Sequence, residues 1–234
     1  MINKQKTFLF VFAHPDDETS SSGGTITKLS KDGHSVYVCT ATRGELGTLG
    51  TGTLKISRKE LPKVREKELS GALKLFGAHP AILLGYKDQE LQLIPEKTLI
   101  KDISKIIHSI NPNFIITFGP SGISGHSDHI AISRSTTAAF KSYLKINPTC
   151  KLFYVAISKE ASISFNLKLT GLEMNPNVII DISKQFQTKL NALKNYRSQE
   201  DAQSLAKMFE QNQMTTETFV LWNRNNATQI SDSF

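Results

Sequence analysis

The 234-residue chain is poor in cysteine, long apolar runs, clustered basic charge and phosphate-loop glycine spacing, and each shortage removes a class of protein. Its two cysteines, Cys39 and Cys150, form no CxxC or paired pattern and sit among apolar neighbours, so a disulfide framework is not expected. Apolar stretches such as residues 8–13 fall far short of the ~18 residues a membrane helix needs, and no membrane span is expected. The formal charge is +7. No block of about five or six basic residues and no aromatic-interleaved basic motif accompanies it, so nucleic acid is not an expected partner. A lysine-rich solvated surface explains this charge most simply, and attraction of an anionic substrate is the sharper alternative. Gly44, Gly47, Gly50 and Gly52 lack both GxGxxG spacing and a GKS or GKT ending, which excludes a phosphate loop. The first residues, Met1-Ile-Asn-Lys-Gln-Lys, show no secretory-signal pattern, and a cytoplasmic location is expected.

What is present is an alternation. Residues 8–13, 35–40, 81–84, 114–118 and 152–157 are short runs rich in Val, Ile, Phe and Tyr, the pattern of strands buried on both faces. Between them, residues 23–31, 58–76, 96–109 and 128–144 carry helical periodicity; in the second, Val64, Leu69, Ala72, Leu73 and Phe76 share a face. A further strand over 178–182 and a helix over 183–195 extend the C-terminal side. The expectation is an α/β, Rossmann-like doubly wound fold: a mostly parallel sheet, helices on both faces and a C-terminal extension, with residues 1–234 as a single domain. The glycine-containing segment 43–57 reads as a mobile loop beside the crevice at the carboxyl ends of the strands.

Two polar clusters fall at such strand ends. The first strand runs directly into Ala13-His14-Pro15-Asp16-Asp17-Glu18, and the segment after the fourth strand reaches Gly125-His126-Ser127-Asp128-His129. A catalytic zinc site takes three His, Asp or Glu ligands and keeps one position open. His14 and Asp17, at i and i+3, share a face if the chain turns into helix there, and a distant histidine completes the set. Spacing alone leaves open Asp16 or Asp17, and His126 or His129. Two histidines and a carboxylate also suit Fe(II). Structural roles compete: Asp16 or Asp128 as a helix N-cap, Arg65 as a helix-surface charge beside Glu66 and Glu68, and Arg43 pairing with Glu45 across the loop. His34, His79 and His108 have no ligand-type neighbours and receive no role.

These segments resemble the PIG-L/LmbE-like family of zinc-dependent N-acetylglucosamine de-N-acetylases. The resemblance lies in AHPDDE at residues 13–18, Thr42-Arg43-Gly44-Glu45, Arg65-Glu66-Lys67-Glu68-Leu69, Gly85-Tyr86-Lys87-Asp88, and His126-Ser127-Asp128-His129 in place of HPDH. It covers most of the chain, and Ser127 for proline removes no ligand. It implies Zn2+, with Fe2+ or another divalent ion as alternatives, held by His14, Asp17 and His129. Asp16 is then the general base, and His126 the oxyanion stabiliser or acid with Asp128 orienting its imidazole. Arg65 and Asp88 would face the sugar, with Arg43 and Glu45 as further substrate-binding candidates. The implied activity is hydrolysis of the N-acetyl group of a small N-acetylglucosamine-type conjugate; a homo-oligomer is left open. Two other classes compete. A nucleotide-binding oxidoreductase would need Gly-x-Gly where His-Pro-Asp-Asp stands, and a metal-stabilised binding protein would bind the ion without turnover.

Overall fold

The apolar run at residues 8–12 forms β1 (Thr7–Phe12), in which Leu9, Phe10, Val11 and Phe12 are 0% exposed. Side chains of that size each stabilise the fold by about 1.5–3 kcal/mol when fully buried, so this strand is fixed at the centre of a core. A computed structural model describes residues 5–223 and 231–234. Its strands are β1, β2 (Ser35–Thr42), β3 (Ile82–Tyr86), β4 (Phe114–Thr117), β5 (Lys151–Val155), β6 (Val178–Asp181) and β7 (Thr216–Leu221). They form a seven-stranded sheet in the order β3-β2-β1-β4-β5-β7-β6. The pairs β1·β4, β2·β3 and β4·β5 are parallel and β5·β7 is antiparallel. The fold is therefore α/β with a mostly parallel sheet.

The chain forms two compact units. The first comprises Met1–Phe12, Gln89–Ile180 and Thr218–Phe234, and the second Ala13–Asp88 and Asp181–Glu217. In the first, α3 (Glu96–Ile110) packs on α4 (Ser127–Tyr143), and both contribute to the cover of β1. The short α5 (Lys159–Ser164) follows β5. Asn111 ends α3 in the left-handed conformation with φ 51°, and its Oδ1 accepts from Tyr143 Oη at 2.5 Å, locking one helix end to the other.

In the second unit, α1 (Asp17–Lys31), α2 (Leu61–Phe76) and α6 (Phe186–Asn195) pack on one another, and α7 (Glu200–Gln211) packs on α6. Pro62 lies in the first turn of α2, where its missing N–H is harmless, and Gly77 closes that helix at φ 73°. Helix α1 begins at Asp17, six residues before the expected start at Gly23. Ser20 to Gly24 are weak helix formers. Here Ser20 and Ser21 bond back to the Asp17 carbonyl. Gly24 allows Ile182 an approach that a Cβ would block. Among the described residues no helix is long and apolar enough to cross a membrane.

Candidate active site

In the second unit the chain turns sharply from Ala13 into α1, and Asp16 makes that turn at φ 87°, ψ −23°. The left-handed region costs an L-residue about 1–2 kcal/mol, and Asp and Asn tolerate it better than most. The Asp16 carbonyl accepts from Thr19 and Ser20 N–H and so opens the helix, while its side chain makes no capping bond. Capping explains the backbone of Asp16 and leaves its carboxylate for other work. That carboxylate is buried, and Oδ2 accepts from Arg65 Nη2 at 2.8 Å.

Arg65 is 4% exposed, which rules out the helix-surface charge group. Its Nη atoms also donate to the carbonyls of Pro15 and Gly44, and its Nε is buried without an acceptor. A side chain at Gly44 would overlap the guanidinium, and φ there is 61°, so glycine is required on both grounds. The sequence pointed Arg65 at the sugar; the structure points it at Asp16.

His14 lies between two carboxylates. Its Nε2 is 3.0 Å from Asp88 Oδ1 and its Nδ1 3.7 Å from Asp17 Oδ2. Asp17 Oδ2 also accepts from the N–H groups of Ala13 and His14, at 3.2 and 2.8 Å. Glu18 is 0% exposed: Oε2 accepts from Asp16 N–H at 3.0 Å, and Oε1 from Thr19 Oγ1 at 2.5 Å and Tyr196 Oη at 2.6 Å. Asp88, expected to accept sugar hydroxyls, instead presents Oδ1 to His14 and accepts Leu46 N–H on Oδ2. Its own N–H donates to Glu45 Oε1 at 3.1 Å. Arg43 pairs with Glu66, and the expected Arg43–Glu45 pair is replaced by these contacts.

Burial pushes the Asp16 carboxyl well above its ordinary value; the Arg65 guanidinium opposes this, and Asp201, Asp17 and Glu18 add to it. Burial likewise pushes Glu18 up to about 7 against the bonds from Thr19 and Tyr196. Asp88 behaves oppositely. Burial raises it, but the hydrogen bond and charge of His14, with Leu46 N–H and Arg65, hold it below its usual value.

The segment 43–57 is bonded along its length, contrary to the mobile loop expected. Arg58 Nη1 donates to the carbonyls of Glu45 and Gly47, both at 2.7 Å. Gly50 and Thr51 N–H donate to the carbonyls of Ser198 and Arg197, and Thr48 Oγ1 to that of Ser198. Sequence reasoning assigned nothing to residues 196–199, which carry these bonds and the Tyr196 contact. The Tyr-Arg-Ser-Gln run just past a helix end was the available signal.

In the first unit, β4 ends at Thr117 and a glycine-containing segment leads to α4. His126 is the N-cap of that helix, with Nδ1 accepting from Asp128 N–H at 3.2 Å. Asp128 is 0% exposed and its carboxylate accepts from Gln89 N–H at 2.7 Å and Leu91 N–H at 3.1 Å, a support for residues 89–91 that its sequence position did not suggest. His129 stacks on Phe118 with ring centroids 4.3 Å apart, and its Nδ1 is 3.0 Å from the Gly122 carbonyl. The buried Glu173 holds the preceding turn, accepting from Ser121 N–H and Oγ and from Thr170 N–H and Oγ1.

The residues fit a divalent metal ion. A histidine that donates Nδ1–H to a backbone carbonyl keeps its Nε2 lone pair for a metal, as the Gly122 contact arranges for His129. Groups suited to metal binding are His14 and Asp88 in the second unit and His126, Asp128 and His129 in the first. Asp16, Asp17 and Glu18 are buried, and of the three Asp16 is bonded to the Arg65 guanidinium. Buried carboxylates in excess call for paired or coordinated cations.

The model of the PIG-L family, described as GlcNAc-PI de-N-acetylase, matches residues 9–140. A Bacillus cereus protein described as a probable N-acetyl-alpha-D-glucosaminyl L-malate deacetylase 2 is 32% identical over 200 residues, 85% of this chain and 86% of that protein. Among solved structures, N,N'-diacetylchitobiose deacetylase from Pyrococcus horikoshii superposes with a TM-score of 0.70 at 25% identity, covering 93% of this chain and 84% of that one. GalB, the 4-carboxy-2-hydroxymuconate hydratase from Pseudomonas putida KT2440, has a TM-score of 0.73 at 14% identity, covering 97% and 100%, and shares the fold alone.

Proposed function

Because this chain belongs to the PIG-L family of GlcNAc-PI de-N-acetylases, we propose that it is a metal-dependent deacetylase that hydrolyses the N-acetyl group of a small N-acetylglucosamine conjugate. One observation carries the reading: the family match over residues 9–140 contains the proposed base, all proposed ligands and both signature clusters. An acidic conjugate of the kind named for the Bacillus cereus relative suits the formal charge of +7. In this reading residues 1–234 act as one deacetylase domain.

We assign His14, Asp17 and His129 as ligands of Zn2+, a donor set that also suits Fe2+. Topology supports the grouping. Within the first unit β1 and β4 are parallel neighbours, with Phe8 opposite Phe114. The segments that continue from them, toward His14 and toward His129, therefore start at one sheet edge, the carboxyl edge where α/β folds place ligands. When bound, the metal lowers the pKa of water toward ~7 and polarises the acetyl carbonyl. Asp16 takes the proton of the attacking water. Arg65 occupies Oδ2, which leaves Oδ1 for that proton. His126, its Nδ1 held by Asp128 N–H, offers Nε2 to the developing oxyanion. The amine takes the proton that Asp16 received from the water as the C–N bond breaks, and acetate is released.

The test is incubation of the zinc-loaded protein with N-acetyl-α-D-glucosaminyl L-malate and with N,N'-diacetylchitobiose, following acetate. Release from at least one is expected, and none from either overturns the reading. His129→Ala should lose bound metal and turnover together; full zinc content in that variant overturns the ligand assignment.

A further inference from the structure

Asp16 sits in a backbone conformation that few residues adopt, and its neighbours hold it there. Its N–H is held by Glu18 Oε2 at 3.0 Å, and Arg65 holds both the Pro15 carbonyl and Asp16 Oδ2. Glu18 is the inner member of this chain of contacts, fully buried and unable to turn to water. Its carboxylate is oriented by Thr19 Oγ1 and by Tyr196 Oη at 2.6 Å. Tyr196 follows α6, is 0% exposed, and lies outside the residues 9–140 matched by the family model. A phenylalanine would fill the same volume. The hydroxyl of a fully buried tyrosine needs an acceptor, and here that acceptor is the carboxylate that pins Asp16.

We infer that Tyr196 and Glu18 are positioning residues for the general base: Tyr196 orients the Glu18 carboxylate, and Glu18 fixes the Asp16 backbone in the left-handed turn that aims its side chain. The inference rests on the reading of Asp16 as the base. Neither residue needs to touch substrate. A base displaced by a fraction of its hydrogen-bond length loses much of its advantage, because general-base catalysis depends on reach before acidity. The C-terminal extension, given no site residue by sequence, thereby contributes to the rate of the reaction.

The experiment compares Tyr196→Phe, Glu18→Ala and Glu18→Gln with Asp16→Asn in the full-length zinc-loaded protein, using whichever of the two acetylated sugars is turned over. We expect kcat to fall about 10-fold in Tyr196→Phe and about 100-fold in Glu18→Ala. KM and zinc content should stay near the parent's in Tyr196→Phe, with the melting transition lowered by the loss of one buried hydrogen bond. Glu18→Gln should recover to within about threefold of the parent, since an amide oxygen still accepts Asp16 N–H while its NH2 meets an oxygen of Thr19 or Tyr196. A crystal structure of Tyr196→Phe should show the Glu18 carboxylate rotated and the Asp16 φ displaced.

A merely structural role predicts a lowered melting temperature with kcat per folded molecule unchanged, and that result overturns the inference. If Glu18→Ala fails to fold, Tyr196→Phe decides. If Asp16→Asn retains turnover, the base assignment fails. If Asp16→Asn is dead while Tyr196→Phe keeps full kcat, the positioning role fails and the proposed mechanism stands.

Discussion

Two buried clusters of charge lie in the same compact unit, and they differ in kind. Lys189 and Glu217 are 4% and 4% exposed, with Nζ 2.6 Å from Oε1. Glu217 also accepts Gly24 and Thr25 N–H at 3.0 and 2.7 Å, inside α1. Positive and negative charge balance there, both carboxylate oxygens have donors, and the contacts join one helix to another and to a strand. Around Asp16 the balance fails. Asp16, Asp17 and Glu18 are buried, of the three Asp16 is bonded to the Arg65 guanidinium, whose Nε lacks an acceptor, and the backbone of Asp16 is left-handed. Buried charge alone thus does not mark a functional site in this molecule. Unbalanced charge on a strained turn sets the proposed site apart.

The largest expected effect sharpens that contrast at its centre. Asp16→Asn keeps a residue type that tolerates the left-handed turn and keeps an oxygen for Arg65, but it cannot take a proton. Turnover should fall by ~10³-fold, within the range general-base catalysis supplies, with zinc content unchanged by elemental analysis. Near-parental acetate release would dissolve the distinction between the clusters.

Lys189→Ala is the reverse experiment. It leaves Glu217 buried without its cation and removes the ammonium that lies 4.6 Å from the Phe209 ring centroid. Breaking one partner of a buried pair costs about 3–5 kcal/mol. Chemical denaturation should show a loss of that order, while kcat per folded molecule stays at the parental value. A large fall in kcat with unchanged stability would place Lys189 in the wrong class.

The contrast also explains what was legible in the sequence. Strands β1, β4 and β5 announce themselves because residues buried on both faces give unbroken apolar runs, and β3, half-buried along its length, is legible from its Ile-Leu-Leu run. Strand β7 does not, because its inward Glu217 interrupts the pattern that Phe219 and Val220 continue; Lys189, 28 residues away, and the Gly24 and Thr25 N–H groups make that inward charge tolerable. Helix α7 was missed because its buried face is built largely from Ala202 and Ala206, a weak apolar signal. The candidate ligands and base were legible as two motifs at strand ends. Their supports were not. Tyr196 reaches Glu18 across 178 positions, and only the packing of α6 brings it there. The burial of Arg65 was not legible either, since its acidic neighbours Glu66 and Glu68 make it look exposed; the gap left by Gly44 buries it.

That burial of Arg65 gives a smaller, more discriminating effect. Arg65→Lys keeps the charge but loses the planar fork that joins Pro15, Gly44 and Asp16. If Arg65 serves Asp16, kcat falls about 10-fold and KM holds. If it serves the sugar as the sequence suggested, KM rises instead and kcat is kept. Steady-state kinetics on the same substrate separate the two.

Glu173→Gln carries the comparison into the other unit, with the smallest effect. Glu173 borders the segment that leads to His126 and His129, yet by its hydrogen bonds it belongs with Glu217: its oxygens receive two N–H and two hydroxyl donors. Glutamine keeps one accepting oxygen and loses the other. Stability should drop by about 1 kcal/mol, the net value of a lost hydrogen bond, and turnover should stay within about threefold of the parent, because His129 keeps its own contact with the Gly122 carbonyl. Urea denaturation and acetate release measure the two quantities on one preparation. A loss of turnover on the order of 100-fold would move Glu173 into the class of Asp16, and satisfaction of hydrogen bonds would no longer separate scaffold from site.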